Sequence, residues 1–128
     1  MTDILCGYRV LVVEDEMFVA MLLEDMLGDL GCEIVGPAAS VEQALAIIEA
    51  AGTFDAAVLD VNLNGQKSYP VADALVARGV PFVFSSGYGK DSLSDGYQSY
   101  PVMQKPFDLR EFGRTLTTIL MPKQPHVS

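Results

Sequence analysis

Basic residues are scarce in this sequence: eight Lys and Arg stand against seventeen Asp and Glu, a net charge of −9. Nucleic-acid binding needs a clustered basic face, and the few basic residues here are scattered, so no DNA or RNA partner is expected. Cysteine is nearly missing. Cys6 and Cys32 stand alone with no CxxC spacing, which points to a reducing compartment and to two free thiols packed as small hydrophobes. The single histidine, His126, sits in the terminal "PKQPHVS", a stretch read as frayed and given no chemical role. No apolar run approaches the ~20 residues of a membrane span. The opening "MTDILCGYR" lacks the basic start and apolar core of a signal peptide. No membrane association is expected, and the expected location is the cytoplasm. There is no internal repeat and no low-complexity tract.

Apolar residues, by contrast, are plentiful. Half the chain is hydrophobic and mean hydropathy is +0.29, which argues against disorder. The 128 residues suffice for one domain with a single sizeable core. That domain is expected to be 1–128, with its core at about 8–121 and a flexible tail at 122–128.

Periodicity divides the chain into alternating strands and helices. "RVLVV" (9–13) is a continuous apolar run, the mark of a strand covered on both faces. From Met17 to Leu30, Phe18, Val19, Leu22, Leu23, Met26, Leu27 and Leu30 recur at helical spacing, with Gly31 at the end. "CEIVGPA" reads as a short strand, and "SVEQALAIIEAAG" as a helix opened by Ser40 and Gln43 in capping-box spacing and stopped at Gly52. "FDAAVLDVNL" is a buried strand ending in polar residues around Asp60. "YPVADALVARG" is a helix with Pro70 in its first turn. "VPFVFSSG" and "PVMQKPF" are the fourth and fifth strands, and "DLREFGRTLTTIL" closes as a helix. Such alternation predicts an α/β fold, a five-stranded parallel sheet with helices on both faces. The stretch 87–101, "GYGKDSLSDGYQSYP", has poor helix propensity and only one aliphatic residue, Leu93. A turn or two, or a mobile segment, is expected there.

In an open parallel sheet, ligands bind beyond the carboxyl ends of the strands. The first strand delivers Glu14 and Asp15 to that edge, the third Asp60 and then Asn62, the fourth Ser85 and Ser86, and the fifth Lys105. Two unit charges ~4 Å apart repel by about 4 kcal/mol at an effective dielectric of 20. Three acids in one pocket therefore call for a cation or a raised pKa. An all-oxygen donor set suits Mg²⁺. A metal held by carboxylates beside a lysine and a hydroxyl describes phosphoryl transfer, with Asp60 as the nucleophile forming an acyl phosphate.

The constellation resembles the receiver domain of two-component response regulators, from about Tyr8 to Leu120. The acid pair after the first strand, "VLD" ending the third, a hydroxyl residue before glycine after the fourth, and "KPF" after the fifth occur in family order and spacing. The resemblance implies a flavodoxin-like strand order of 2-1-3-4-5. It also implies Mg²⁺ held by Asp15, Asp60 and the main-chain carbonyl of Asn62, with Glu14 acting through water. Asp60 is then the phosphorylation site, Ser86 and Lys105 bind phosphoryl oxygens, and the Lys105–Pro106 bond is cis. There are two departures. Ser86 stands where the family usually has Thr, and Val102 where it usually has an aromatic switch residue. "PFVFSSGYG" is similar to the fourth-strand motif of a stand-alone subgroup called FAT GUY, which also lacks that aromatic, and Tyr88 falls within the match.

The function so implied is a single-domain response regulator. A sensor histidine kinase or histidine phosphotransfer protein would phosphorylate Asp60, and the domain would signal through an unidentified protein target. No enzymatic activity beyond its own Mg²⁺-dependent phosphorylation and dephosphorylation is expected. One alternative is a degenerate receiver that binds partners without phosphorylation. A second is an aspartyl-phosphate phosphohydrolase, disfavoured because Asn62 replaces that class's second Asp. A third is a flavodoxin-like FMN binder, disfavoured because acids occupy the phosphate loop. Met17 and Met21 are expected to pack on the core or its flank, with phosphodonor docking as the alternative. Without an aromatic at Val102, a disorder-to-order change across 87–101 is expected to carry the signal.

Overall fold

The computed structural model describes residues 5–50, 53–87, 93–94 and 96–120. Gly52, Tyr88, His126 and the tail 122–128 lie outside the described residues. Among them the chain runs through β1 (Arg9–Val13), α1 (Met17–Asp29), β2 (Glu33–Ala38), α2 (Val41–Ala50), β3 (Ala56–Asp60), β4 (Asn62–Leu63), β5 (Gln66–Lys67), α3 (Tyr69–Ala77), β6 (Phe82–Ser86), β7 (Val102–Gln104) and α4 (Leu109–Leu120). The main sheet has the order β2-β1-β3-β6-β7, with every pairing parallel. Leaving out the short β4 and β5, this is the 2-1-3-4-5 order that the resemblance implied.

The helix ends follow the local chemistry. Gln43 N–H donates to Ser40 Oγ at 3.1 Å, and the Gln43 side chain accepts from Ala39 N–H at 2.8 Å, one residue earlier than a standard capping box reaches. Pro70 falls in the first turn of α3, where its missing N–H costs nothing. Asp108 caps α4 by accepting from Glu111 N–H at 2.8 Å.

Strand alternation sorts the core into two layers. Leu11, Val13, Ala57, Leu59, Phe82 and Phe84 pack against α2 and α3. Val10, Val12, Val58, Val83 and Met103 pack against α1 and α4, where Leu23, Leu27, Phe112 and Leu116 cover them. Each fully buried side chain of this size stabilises the fold by about 1.5–3 kcal/mol relative to exposure.

One expectation is corrected here. In α1 only Ala20, Leu23, Met26 and Leu27 are buried, whereas Phe18 and Leu22 face outward. Met17 and Met21 are exposed too, so they do not pack on the core. A buried helix stripe is narrow, and this helix carries more apolar residues than the stripe can use. The strand read from "FDAAVLDVNL" ends at Asp60 as expected, and beyond it β4 and β5 form a separate antiparallel hairpin. Asn64 and Gly65 turn it, with φ of +54° and +84°; both left-handed, as a type I′ turn requires. The described part of 87–101 runs in turns, one of the two outcomes expected of it. Leu93 is buried, Tyr97 stacks on Tyr69 with ring centroids 4.1 Å apart, and Tyr97 Oη donates to Asp73 at 2.9 Å. Ser94 N–H donates to Tyr69 Oη at 2.8 Å. Turns, without a helix, run through residues 96–100.

Candidate acidic phosphorylation site

The carboxyl edge of the sheet gathers the predicted residues. Glu14 follows β1, and its N–H donates to Ala38 O at 2.9 Å, which holds the chain against β2 as it turns into α1. Asp60 ends β3, is buried, and lies beside Ser85 in the β3–β6 register. Glu14, Asp15 and Asp60 each offer a carboxylate oxygen within 4.8 Å of the others. Lys105 follows β7, its N–H donating to Ser86 O at 2.8 Å. Its ammonium lies 3.3 Å from Glu14 Oε1 and 3.4 Å from Asp60 Oδ2. The Lys105–Pro106 bond is cis, and so is Gly36–Pro37.

Main-chain donors hold the acids in place. Glu16 N–H donates to Glu14 Oε2 at 3.1 Å, and Asn62 N–H to Asp60 Oδ1 at 3.4 Å. Asn64 N–H donates to Asp15 Oδ2 at 2.8 Å. The Asn64 contact was not anticipated, although "NG" flanked by strand-like residues is the strongest short-range hairpin signal a sequence carries. The hairpin tip thus reaches across to the loop after β1.

The electrostatics are those of a crowded pocket. Glu14 is only 2% exposed, and burial together with the nearby Asp60 charge pushes its carboxyl up from 4.5 to about 7. Burial works against the Lys105 charge, but Asp60 and Glu14 outweigh it and shift the ammonium upward. Three carboxylates and one ammonium leave two negative charges uncompensated at full ionisation. A hard divalent cation fits this all-oxygen, doubly negative set, because a small ion at ~2.1 Å from each ligand spans oxygens up to about 4.2 Å apart. Asp15 and Asp60 would hold such an ion directly, and the Asn62 carbonyl and a water on Glu14 are the further ligands that the resemblance implied.

Ser86 closes β6 and is buried. Alternation after Phe84, which packs with α2 and α3, starts its side chain on the face opposite that of Asp60. Val102 is the register partner of Phe84 and lies in that same α2–α3 layer. There Phe82, Phe84, Tyr69, Tyr97 and Tyr100 form one aromatic cluster, with centroid separations of 4.1 to 6.4 Å. The sequence reading gave no role to Tyr69 or Tyr97. Among the described residues no helix is long and apolar enough to cross a membrane.

This geometry has close counterparts. The solution structure of SdrG from Sphingomonas melonis Fr1 superposes with a TM-score of 0.80 at 44% identity, over 94% of this chain and 100% of that one. The BeF₃-activated conformation of SdrG from Pseudomonas melonis Fr1 gives 0.78 at 45% identity, over 91% and 98% of the two chains. The receiver domain of sensor histidine kinase PA1611 from Pseudomonas aeruginosa PAO1, solved with a magnesium ion coordinated in its active site cleft, gives 0.73 at 25% identity over 90% and 98%. In sequence, the uncharacterized transcriptional regulatory protein YbdJ of Bacillus subtilis (strain 168) is 31% identical over 109 residues, 82% of this chain and 47% of YbdJ. The chain therefore spans about half the length of that relative. A family model of the response regulator receiver domain matches residues 10–116. With the parallel sheet, the acid cluster and the lysine in place, the chain belongs to the response regulator receiver domain family.

Proposed function

We propose that this chain is a phosphorylation-controlled interaction module in a two-component phosphorelay, with Asp60 as its phosphoryl acceptor. One observation carries the reading: a buried Asp60 ends its strand inside a three-carboxylate cluster, with the Lys105 ammonium 3.4 Å away. The donor is a phosphohistidine on a sensor histidine kinase or a histidine phosphotransfer protein. An Asp60 carboxylate oxygen bonds to phosphorus as the histidine N–P bond breaks, and the released imidazole takes up a proton. Asp15, Asp60 and the Asn62 carbonyl would hold Mg²⁺, with Glu14 through water. Bound there, the ion neutralises charge on the phosphoryl oxygens. Lys105 supplies the second positive charge to those oxygens, and the Ser86 hydroxyl a hydrogen bond.

The surface beside the acids supports a protein donor. A cavity of about 200 Å³ is lined by Glu14, Asp15, Met17, Met21 and Glu24 among others. Met17 in its lining is 74% exposed, and Phe18, next along α1, is 86% exposed. Exposed apolar side chains around a charged reaction centre fit docking by a helical partner, with Met adapting to its shape. Output runs through an unidentified protein, and no enzymatic activity on a separate substrate is proposed. Intact-mass measurement with acetyl phosphate tests the reading. One phosphoryl group is expected only with Mg²⁺ present and not in Asp60→Asn. Modification that survives in Asp60→Asn would show the nucleophile to be another residue. No modification under any condition would favour a receiver that binds without phosphorylation.

A further inference from the structure

Lys105 reaches its partners by crossing a strand. In the order β1-β3-β6-β7 it follows β7, yet its ammonium meets Asp60 at the end of β3 and Glu14 beyond β1. Neighbouring strands lie ~4.8 Å apart, so β3 is roughly 9.6 Å from β7, and the lysine side chain has to span β6. On the face it crosses, β6 presents Val83 and then Ser85, because Val83 packs with α1 and α4 while Phe82 and Phe84 pack with α2 and α3. Ser85 is the register partner of Asp60 on one side and of Met103, two residues before Lys105, on the other.

The Ser85 side chain is 0% exposed, and its hydroxyl has no hydrogen-bond partner among the described residues. A buried hydroxyl left unsatisfied costs about 1–3 kcal/mol, so alanine would serve better if packing alone mattered. An ammonium has three N–H groups, two of which are directed here to Glu14 and Asp60. A hydroxyl accepts from an ammonium and donates to a carboxylate at the same time. We propose that Ser85 is a positioning residue of the Asp60 site. Its small side chain is the floor over which Lys105 crosses, and its hydroxyl steadies the ammonium on the Asp60 side when the charge in the pocket is redistributed. The inference rests on the reading of Asp60 as phosphoryl acceptor for its kinetic consequence, but not for the crossing of Lys105 over Ser85.

Ser85→Ala keeps the floor and removes the hydroxyl, and Ser85→Val obstructs the crossing. The wild-type protein and both variants are compared by phosphorylation rate with acetyl phosphate and Mg²⁺, and by NMR of the Lys105 ε-methylene group without phosphate. Ser85→Ala is expected to slow phosphorylation about fivefold and to move the Lys105 resonance. Ser85→Val is expected to slow it as far as Lys105→Ala does. A Ser85→Ala protein matching wild type in both rate and resonance would overturn the proposal. If wild type takes no phosphoryl group, the functional reading fails on its own. The Lys105 resonance then still decides: displaced in Ser85→Ala it upholds the crossing over Ser85, unmoved it refutes it. Ser85→Ala adds no volume, so the comparison survives should Ser85→Val not fold.

Discussion

Glu14→Gln probes the electrostatics of the acidic pocket at its most buried member. In the metal-free protein the Glu14 carboxyl holds its proton up to about pH 7, against 4.5 for an ordinary glutamate. The folded state therefore binds more protons than the unfolded state between those values, and stability falls as pH rises from 4.5 to about 7, then levels off. At 1.36 kcal/mol per pKa unit, this group costs about 3 kcal/mol once ionised. Glutamine keeps the shape and drops the charge. It also gives up the ion pair with Lys105 at 3.3 Å, whose pull is already contained in that shift. Above pH 7 the variant should thus be more stable than wild type by about 3 kcal/mol, with the advantage vanishing toward pH 4.5. Urea denaturation with a chelator present, across that range, measures it, provided the slope against urea is unchanged. Saturating Mg²⁺ should restore wild type, by about 2.7 kcal/mol at a hundred times its dissociation constant. A variant less stable than wild type above neutrality would refute the reasoning, as would a difference that ignores pH.

Replacing Met17 and Met21 together by Ser should slow phosphoryl transfer from a phosphohistidine protein severalfold while leaving acetyl phosphate labelling unchanged; equal slowing of both would remove these residues from the donor interface. Gly36 has φ +94°, and a Cβ there would lie 3.0 Å from Ala38 N and 3.1 Å from Val12 O, so Gly36→Ala should lower stability by about 1–3 kcal/mol in thermal or urea unfolding. Tyr97→Phe deletes the hydrogen bond to Asp73 at 2.9 Å and should cost about 0.5–1 kcal/mol, with hydrogen exchange rising across residues 96–100 and not in β1.

Much of this fold is legible because its strands are covered on both faces. A run such as "RVLVV" can be little else, and β1 occupies the residues expected of it. The site is legible for a related reason: acids, hydroxyls and a lysine sit just beyond those apolar runs, where a parallel sheet collects them. Glu14, Asp15, Asp60 and Lys105 do meet there. What escaped reading depended on neighbours distant in sequence. Asn64 holds Asp15 across 49 residues, and nothing local to either position signals that pairing. The outward turn of Phe18 and Leu22 depends on where α1 rests against the sheet, since apolar residues on several sides of one helix leave the buried side unspecified. Tyr69 and Tyr97 stack from α3 and from a turn, 28 positions apart, and only the assembled fold brings the rings together.

Adjacent residues of β6 belong to different sides of the molecule. By strand alternation Ser85 shares the face of Val83 and Asp60, and Ser86 that of Phe84 and Val102. One peptide unit is thus the join between an acidic face and an aromatic one. A change on either side is felt across so short a join, so the surface offered to other proteins and the chemistry beneath it are inherited as a pair.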